Sequence, residues 1–402
     1  MRSNLRYLRI VWFFARLTLH ILSWEVAGRR LGLAGWVNRS AQARYTRWAG
    51  RFRGLALRLG GVMIKVGQFL SSRVDVLPEY ITQELAGLQD EVPAEPADLI
   101  RAAVERELGR PLAEVFPRFQ SEVLAAASLG QTHRATLTTG EAVVVKVLRP
   151  GIEAIVEIDL AALRLVARWV KHYSLISQRA DIEALLTEFS VTLREELDYT
   201  LEAQHAARFA EMFADSPGVR IPRVYPATSS RRVLTLEDVG FVKITDYAGL
   251  TAAGLDRAHV AQRLFKAYMM QIFDYGFFHA DPHPGNLFVQ TFPDRPGWRL
   301  VFIDFGMTGT VTPAVRAALR EIAIGIGARD PARLVRAAGA LGALRPGADL
   351  NRIIEAETAV FDRFWGKSMS ELRQTDVREV EQFMHQFRDL LFELPFQVPE
   401  NL

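Results

Sequence analysis

Two acidic motifs, separated by a hairpin-like stretch, constrain the fold of this chain most strongly. Residues 279 to 288 read HADPHPGNLF, with Asp281 and Asn286 separated by four residues, and FIDFG follows with Asp304 directly after an apolar run. In a phosphoryl-transfer loop this spacing lets the Asp face the nucleophile while the Asn turns back to a metal ion on the phosphates. An Asp at the end of a buried strand can reach the same ion. Either motif alone is weak, but the ordered pair predicts a phosphoryl-transfer site.

A strand lysine upstream of these motifs supplies a third part of such a site. VVVKV places Lys146 in an apolar, β-branched segment, where a buried ammonium group needs a partner. Kinase-like folds use a lysine on a small-lobe strand to hold the α- and β-phosphates, paired with a glutamate from a helix. An isolated strand lysine more often lies at a sheet edge and faces water. The position of Lys146 upstream of the Asp–Asn loop and of DFG favours the phosphate-binding role.

The catalytic loop has two competing interpretations. The alternation H-x-D-x-H, from His279 to His283, would place three zinc ligands on one face of an extended segment. Pro282 and Pro284 instead fit a rigid loop, and Asn286 would have no role at a zinc site. We therefore favour the kinase-type loop, with His279 as a structural residue bonded to the backbone of the DFG region and His283 as a loop residue near the phosphates.

The order of the predicted elements indicates an α+β chain with a kinase-like, two-lobed fold. Strand patterns flank Thr139-Gly140, TSSRR separates two further predicted strands, and helical patterns dominate residues 152 to 213 and most of the chain from 255 onward. The predicted strands come mainly before the long helical regions. This order predicts a small sheet-containing N-lobe and a larger helical C-lobe, preceded by a helical extension. The predicted boundaries are a basic amphipathic helical segment at 1–60, a helical extension at 61–120, the N-lobe at 121–238 and the C-lobe at 239–402.

Charge is distributed very unevenly along the chain. The net charge is only +3, but residues 1 to 60 contain twelve arginines and one acid, Glu25, so this segment carries +11 and the rest carries −8. Such a field attracts anionic partners, and no zinc-finger spacing or RNA-recognition aromatic motif points to nucleic acid. The absence of cysteine excludes disulfides, iron–sulfur clusters, Cys-zinc sites and a cysteine nucleophile.

The first helix of the basic segment is expected at a membrane surface or packed on the protein. Residues 5 to 24 place arginines near one side and bulky apolar residues on the other. The longest unbroken apolar run, IVWFFA, is far shorter than the roughly 20 residues that span a bilayer, so no spanning helix is predicted. The N-terminus also lacks a secretory signal pattern. We therefore expect a cytoplasmic protein that is peripheral at the membrane surface.

Six motifs together resemble the UbiB (AarF) family of atypical, kinase-like proteins. They are KVGQ (65 to 68), AAASLGQTH (125 to 133), VVVKVLRPG (143 to 151), EELDYTLEA (195 to 203), HADPHPGNLF and FIDFG. The resemblance covers roughly residues 50 to 400 and implies a kinase-like fold that binds ATP and Mg²⁺. The H-G-D-x-H-P-x-N loop of aminoglycoside- and choline-kinase-like phosphotransferases is also similar, but those would leave KVGQ unexplained.

The resemblance implies a role for each matching residue. Asp281 is similar to the catalytic Asp, Lys146 to the phosphate-binding lysine, and Glu202 to its helix partner. Asn286 and Asp304 are similar to the magnesium ligands. The phosphate-covering loop corresponds to Ala125, Ala126, Ala127 and Ser128, and Glu237 or its neighbours would lie nearest adenine. Lys65 and Gln68 match the K-x-G-Q motif, whose lysine points to the E-x-D acids, here Glu196 and Asp198.

Two departures from ordinary kinases modify the expected activity. An alanine loop replaces the glycine-rich loop, which restricts φ near the phosphates, and HAD replaces HRD. Together with a lysine-bearing helix in the cleft, these predict slow or absent phosphorylation of proteins in trans, with ATP hydrolysis or a small buried substrate favoured. The resemblance implies a role in isoprenoid quinone biosynthesis or lipid homeostasis, with quinone-biosynthesis proteins or a small lipid-like ligand as partners. A nucleotide-binding pseudoenzyme scaffold is the alternative.

The last ten residues, ELPFQVPENL, resemble a segment after which many family members continue, often into membrane-spanning helices. A naturally short protein, a fragment and an incomplete gene all remain open at this point.

Overall fold

The computed structural model describes residues 2–28, 30–72, 77–86, 88, 93–171, 182–240, 242–292, 296–345 and 347–366. The chain divides into two compact units, residues 1–254 with 283–307, and residues 255–282 with 308–402. The segment ELPFQVPENL lies outside the described residues. The lobe boundaries given above stay predictions.

The first unit begins with helices. They are α1 (Arg2–Ile21), which continues into a π-helical segment (Leu22–Gly28), α2 (Ala34–Leu59), α3 (Val62–Ser72), α4 (Glu79–Ala86), α5 (Ala97–Leu108) and α6 (Leu112–Val115). A break occurs at Gly60-Gly61, where α2 ends and both glycines have positive φ, at 64° and 56°. The glycines let the chain turn directly from α2 into α3.

A four-stranded antiparallel sheet follows these helices. Its strands are β1 (Arg118–Ala126), β2 (Gly130–Thr136), β3 (Ala142–Leu148) and β5 (Val233–Glu237), in the order β1-β2-β3-β5. Val143, Val145 and Val147 are buried in a core shared with α5 and α6, so the strand period of two places Lys146 on the opposite face. The predicted turn at Thr139-Gly140 joins β2 to β3, with Gly140 at φ 92°.

In the described part of the connection between this sheet and a second one, the chain forms three helices. They are α7 (Ile152–Val170), α8 (Ile182–Glu195) and α9 (Tyr199–Met212). The second sheet contains β4 (Val219–Arg220), β6 (Val242–Lys243), β8 (Leu287–Thr291) and β9 (Trp298–Phe302), in the order β4-β9-β8-β6. A short helix, α10 (Tyr247–Ala252), follows β6. The predicted hairpin within residues 286 to 306 is therefore confirmed as β8 and β9.

One of the two strands predicted in residues 221 to 240 does not form. Only β5 is a strand, and the preceding stretch contains a 3-10 turn (Pro226–Thr228) and a single bridge between Val224 and Leu236. Proline has no N–H for a ladder, and the Ser229 hydroxyl donates to the carbonyl of Tyr225 and accepts from the N–H of Thr235. Backbone bonds pair Arg223 and Tyr225 with β5 around this bridge, and beyond it the Ser229 side chain bonds the backbone, so the pairing does not extend into a strand.

The helix α1 is docked on the first unit through a buried ion pair. Arg6 donates to both carboxylate oxygens of Asp159 on α7, at 2.6 and 2.5 Å, and to the carbonyls of Leu59 and Gly60. Ile10 of the same helix is fully buried in the core that α1 shares with α7 and α8. This face of α1 therefore packs on the protein, which is one of the two arrangements expected for the first helix of the basic segment.

The expectation that no segment is long and apolar enough to span a membrane needs a correction. The π-helical continuation lengthens the first helical segment, and residues 4–28 meet the length and composition of a spanning helix. The length of the longest unbroken apolar run underestimates the length of the apolar helix, because single arginines interrupt it. Length and composition are weak grounds, since Arg6 and Ile10 dock the same segment on the domain.

The second unit is mainly helical, as predicted for the chain after residue 255. It contains α11 (Arg257–Met269) with a π-helical continuation (Met270–Tyr275), α12 (Pro313–Ala328), α13 (Pro331–Ala340) and α14 (Leu350–Phe364). Two short strands in this unit, β7 (Phe277–His279) and β10 (Thr308–Thr310), pair with each other. Side chains of Asp256, Thr312, Asp330 and Asp349 cap the four helices.

Candidate active site

Three charged side chains meet on the outer face of the first sheet. Lys146 on β3 lies 2.5 Å from a carboxylate oxygen of Glu202 on α9 and 3.3 Å from one of Asp304 in the DFG segment. The side chains of Lys146 and Glu202 are 19% and 6% exposed, so the pair is largely shielded from water. The alternative of a solvated edge lysine is wrong, because the sheet order places β3 between β2 and β5. Lys146 and Glu202 thus form the predicted pair, and Asp304 joins it.

The protonation states in this cluster follow from competition between burial and charge. Burial lowers the pKa of Lys146, but the negative charges of Asp304 and Glu202 outweigh it and raise the pKa above its ordinary value. Burial raises the pKa of the Glu202 carboxyl, and the ammonium group of Lys146 works against this. Lys146 is therefore a fixed positive charge, which is the form that binds phosphate oxygens.

The start of α9 sets the position of Glu202. Asp198 caps this helix, accepting hydrogen bonds from the backbone N–H of Thr200 at 3.0 Å and from its hydroxyl. With the helix starting at Tyr199, that residue, Glu202, His205 and Phe209 follow at intervals of three or four and share one face. The cap therefore fixes the register that presents Glu202 to Lys146.

That face of α9 also holds the DFG segment, a role not recognised from the sequence. His205 donates through Nδ1 to the carbonyl of Phe305 at 3.1 Å, and the Phe209 and Phe305 rings lie 5.1 Å apart. The Tyr199 ring lies 6.0 Å from the ammonium nitrogen of Lys146. The sequence does contain a signal for these contacts, because His205 and Phe209 follow Glu202 at helical spacing. This spacing predicts their position only once α9 is known to face the site.

The β8–β9 hairpin brings the two predicted magnesium ligands to the same end of a sheet. Leu287 pairs with Phe302, and the next residues outward are joined by a hydrogen bond from the N–H of Ile303 to the carbonyl of Asn286 at 3.2 Å. Asp304 follows directly, and its carboxylate also accepts from the N–H of Gly306 at 3.0 Å. The ordered spacing of Asn286 and Asp304 in the sequence thus results from an antiparallel register.

The alanine-rich loop is the turn between β1 and β2. Ala125 and Ala126 are the last residues of β1, while Ala127 donates from its N–H to the carbonyl of Gly130. The Ser128 side chain is almost fully buried, and its hydroxyl has no hydrogen-bond partner among the described residues. Such an orphaned buried hydroxyl needs a partner, and a nucleotide phosphate would supply one.

Arg149 fixes this turn and was also missed from the sequence. Its guanidinium donates to the carbonyl of Ala127 at 3.1 Å, to that of Pro93 at 2.8 Å and to the Glu95 carboxylate at 2.9 Å. Arg149 belongs to the VVVKVLRPG motif. This motif alone does not predict that the segment around Pro93 and Glu95 and the alanine turn both contact Arg149. Arg149 is therefore a positioning residue for the loop.

The KVGQ motif lies on α3. Lys65 forms a salt bridge of 2.8 Å with Glu196, and Gln68 donates to the carbonyl of Leu88 at 3.0 Å. A Cβ at Gly67 would lie 2.1 Å from Leu88 Cδ1, so only glycine permits this approach. The lysine therefore reaches one of the E-x-D acids, Glu196. Asp198 serves as the cap of α9 and is 3.5 Å from Arg231.

Glu237, at the end of β5, has its side chain engaged within the protein. Its carboxylate pairs with Arg220 and accepts from the N–H of Arg223. The N–H groups of Glu237 and Asp238 donate to the carbonyls of Arg223 and Ala142. Hydrogen bonds to a base would therefore have to come from carbonyl groups or from residues after Asp238.

Asp281 belongs to the second unit and is half-buried there. Burial, and then the negative charge of Asp281, raise the pKa of Tyr268 to about 12, so the phenol stays protonated close to this carboxylate. His279 is buried in β7 with its backbone donating to Gln271, and it pairs with Thr308 just after the DFG segment.

His283 belongs to the first unit. Its Nδ1 accepts the N–H of Gly285 and thereby caps the turn Pro284–Asn286. This bond occupies one of the ring nitrogens, which favours the turn over the zinc alternative.

The residues present fit ATP and magnesium. Mg²⁺ is typically held by one or two protein oxygens together with phosphate oxygens and water. Asn286 and Asp304 supply such oxygens, while no group of three or more His, Asp or Glu side chains that could hold a metal occurs in the described part of the chain. Lys146 and the Ser128 hydroxyl supply a cation and a donor for phosphate oxygens.

Comparisons with known proteins decide the family. The model of the ABC1 atypical kinase-like domain matches residues 87–338. The chain belongs to the UbiB/ABC1 family. The chain is 41% identical over 307 residues to the chloroplastic protein ACTIVITY OF BC1 COMPLEX KINASE 8 of Arabidopsis thaliana, covering 76% of this chain and 40% of that protein. It is 40% identical over 297 residues to the probable protein kinase UbiB of Azotobacter vinelandii, covering 73% of this chain and 52% of the relative. The chain thus spans about half the length of these curated relatives.

A solved structure supports the fold class. The structure of the Rv3197–erythromycin complex from Mycobacterium tuberculosis matches with a TM-score of 0.55 and 23% identity, over 87% of this chain and 86% of that one. The predicted α+β, kinase-like fold is confirmed by the family match and by this likeness.

Proposed function

We propose that this protein binds Mg-ATP and acts as an atypical kinase or ATPase. The observation that carries the proposal is Lys146 held between Glu202 and Asp304, with Asn286 joined by the hairpin to the residue before Asp304. In this proposal Lys146 holds the phosphates, Asn286 and Asp304 hold the magnesium ion, and Asp281 orients or deprotonates the attacking hydroxyl group. A bound magnesium ion supplies charge neutralisation at the transferred phosphoryl group.

The alanine loop and the Lys65–Glu196 pair favour ATP hydrolysis or a small substrate over phosphorylation of proteins in trans. Alanine restricts the backbone of the β1–β2 turn more than glycine would, and Arg149 fixes the turn further. The KVGQ lysine is already engaged by Glu196 at 2.8 Å. The aminoglycoside- and choline-kinase-like alternative would leave the KVGQ motif unexplained.

Thermal unfolding with and without Mg-ATP tests the nucleotide site. A ligand at about 100 times its dissociation constant adds roughly 2.7 kcal/mol to a folded state that alone binds it, which shifts the melting temperature by several degrees. We expect a magnesium-dependent increase in the wild type and none in Asp304→Asn. The matched control is Asp362→Asn, an exposed aspartate of α14, which should keep the full increase.

The outcomes separate the alternatives. An equal shift in Asp304→Asn would reject the assignment of the magnesium site. A magnesium-dependent shift without measurable ADP release, in a protein with all these residues intact, would favour the nucleotide-binding scaffold. Release of ADP that Asp281→Asn abolishes, with ATP binding retained, would support the enzymatic role.

The proposal also places the protein at a membrane surface in support of isoprenoid quinone biosynthesis or lipid homeostasis. The outer face of α1 exposes Leu8, Trp12 and Leu19 next to the exposed Arg9 and Arg16, a combination that suits an interface with anionic lipid. Membership of a family that includes UbiB supports the quinone role.

Vesicle flotation tests the surface. We expect salt-sensitive binding to anionic vesicles, weak binding to neutral ones, and loss of binding in Trp12→Asp. Phe265→Asp is the matched control, because Phe265 in the second unit is 65% exposed and Trp12 is 66% exposed. Equal flotation with both lipid types would remove the proposed surface.

Quinone content tests the biological role. Cells that carry Asp304→Asn in place of the wild-type chain should contain less isoprenoid quinone than cells that carry Asp362→Asn. Unchanged quinone content in the presence of abolished nucleotide binding would reject the quinone role and leave the nucleotide site standing.

A further inference from the structure

An apolar cavity of about 290 Å³ lies among the helices of the first unit, away from the charged cluster. Four helices contribute its walls, with Leu17 on α1, Phe69 on α3, Val166 on α7 and Leu186 on α8 among the lining residues. The cavity is partly open to the solvent, so its apolar walls face water. Exposure of apolar surface to water is unfavourable, and a ligand that covers these walls would remove that cost.

The lining excludes most classes of ligand. Among the described residues that line it, Thr18 contributes the one hydroxyl-bearing side chain, and the others are aliphatic or aromatic and carry no charge. A polar head group inside would lose its bonds to water and find almost no replacement. The volume is close to the lower end of ordinary ligand pockets and well above that of an engineered apolar cavity that stays dry and binds benzene. The chemistry therefore selects a hydrocarbon chain.

The surroundings select the source of that chain. The wall helix α1 exposes apolar side chains on its other face, at Trp12 and Leu19, together with the arginines Arg9 and Arg16. Residues 1 to 60 carry a net charge of +11, so a ligand with an anionic head group is attracted to this end of the molecule. The head group can remain in water at the open side of the cavity while its chain enters the apolar space.

We propose that the cavity among α1, α3, α7 and α8 binds the hydrocarbon chain of a single-chain anionic lipid. The site is separate from the nucleotide site, since none of its lining residues belongs to the Lys146, Glu202 and Asp304 cluster. Binding therefore requires neither nucleotide nor magnesium. The proposal and the proposed function can fail independently.

The test measures binding of palmitate below its aggregation concentration, by native mass spectrometry and by displacement of a fluorescent fatty acid, without nucleotide. We expect one palmitate per chain. Ala167→Leu, which fills the cavity from α7, should weaken binding by about tenfold or more, because single methylene groups in apolar pockets change affinity on this scale. Ala161→Leu, on the exposed face of the same helix, is the matched control and should bind like the wild type.

A second variant protects the test against a folding failure. Leu186→Asn places an amide in the cavity wall without adding volume, and should also weaken binding if its melting curve shows a folded protein. Unaltered palmitate binding in folded Ala167→Leu and Leu186→Asn would overturn the proposal, as would the absence of 1:1 binding in the wild type. Equal weakening by Ala161→Leu would also overturn it. If the uncharged alcohol dodecanol bound as tightly as palmitate, the proposed preference for an anionic head group would be rejected.

Discussion

The charged cluster at Lys146 and the apolar cavity bounded by α1 are two regions of one unit with opposite chemistry. In the cluster every charge has a partner within 3.3 Å, and each residue identity matters. In the cavity the lining is almost uniformly apolar, and shape matters more than the identity of any one residue. Val66 on α3 and Phe189 on α8 line the cavity, and the same two helices bring Lys65 to Glu196, which lies just after α8. The properties of the polar site thus depend on the identity of each residue, whereas those of the apolar cavity depend on how the surrounding helices are arranged.

Arg6→Met should break the helix arrangement around the cavity and give the largest loss of stability. The substitution leaves the Asp159 carboxylate buried without its bidentate partner and frees two backbone carbonyls. We expect the free energy of unfolding to fall by about 3–5 kcal/mol, as for other broken buried ion pairs. Urea unfolding measures this. Arg9→Met, at an exposed position of the same helix, should change it little, and equal losses would contradict the docking role of Arg6.

Lys146→Met breaks the charged cluster. It leaves Glu202 buried without its cation, so we expect a loss of up to about 3–5 kcal/mol and no Mg-ATP-induced stabilisation. Burial raises the pKa of the Glu202 carboxyl, so the folded variant gains stability below the unfolded pKa of 4.5 and loses it as the pH rises through the folded value. The deficit relative to the wild type should therefore be smaller at pH 5 than at pH 8.

The control for Lys146→Met is a lysine in a surface pair. Lys171 is 59% exposed and pairs with Glu183, which is also exposed. Lys171→Met should change stability by less than about 1 kcal/mol and keep the response to Mg-ATP. A deficit in Lys146→Met that grows toward acid pH would show that Glu202 does not carry the penalty.

Gly67→Ala tests the close packing next to the KVGQ residues. The new Cβ would lie 2.1 Å from the buried Leu88 side chain, and we expect a loss of about 1–3 kcal/mol from overpacking. Gly54→Ala in α2 is the control, because its nearest contact is a flexible arginine at 3.6 Å and alanine favours a helix interior. Chemical denaturation should show opposite signs for the two variants. A stabilised Gly67→Ala would contradict the described approach of α3 to Leu88.

Asp198→Ala should have the smallest effect and separates capping from charge. Removal of the cap of α9 is expected to cost about 1 kcal/mol. Asn also caps helices, so Asp198→Asn should retain most of the stability although it lacks the charge near Arg231. Thermal melting of both variants measures the difference. Equal losses would assign the role of Asp198 to its charge.

The sequence by itself determined the kinase-like fold class and the candidate magnesium ligands, while the pairing of Lys146 with Glu202 was implied by the family resemblance. The magnesium ligands depend on residue identity at a fixed spacing along the chain, because the hairpin register brings Asn286 beside Ile303, directly before Asp304. Local patterns also predicted the turn at Thr139-Gly140. They failed in residues 221 to 232, where a single bridge at Val224 replaces the predicted strand and the Ser229 side chain bonds the backbone beyond it.

Only the tertiary structure decided which distant groups meet. It showed that Lys65 pairs with Glu196 while Asp198 caps α9, that Arg149 holds the alanine turn, and that His205 holds the DFG segment. It also showed that α1 is docked by Arg6 and leaves a cavity beside α3, α7 and α8. The physical reason is that local spacing specifies hydrogen bonds, caps and strand registers, whereas contacts between segments far apart depend on how the whole unit packs.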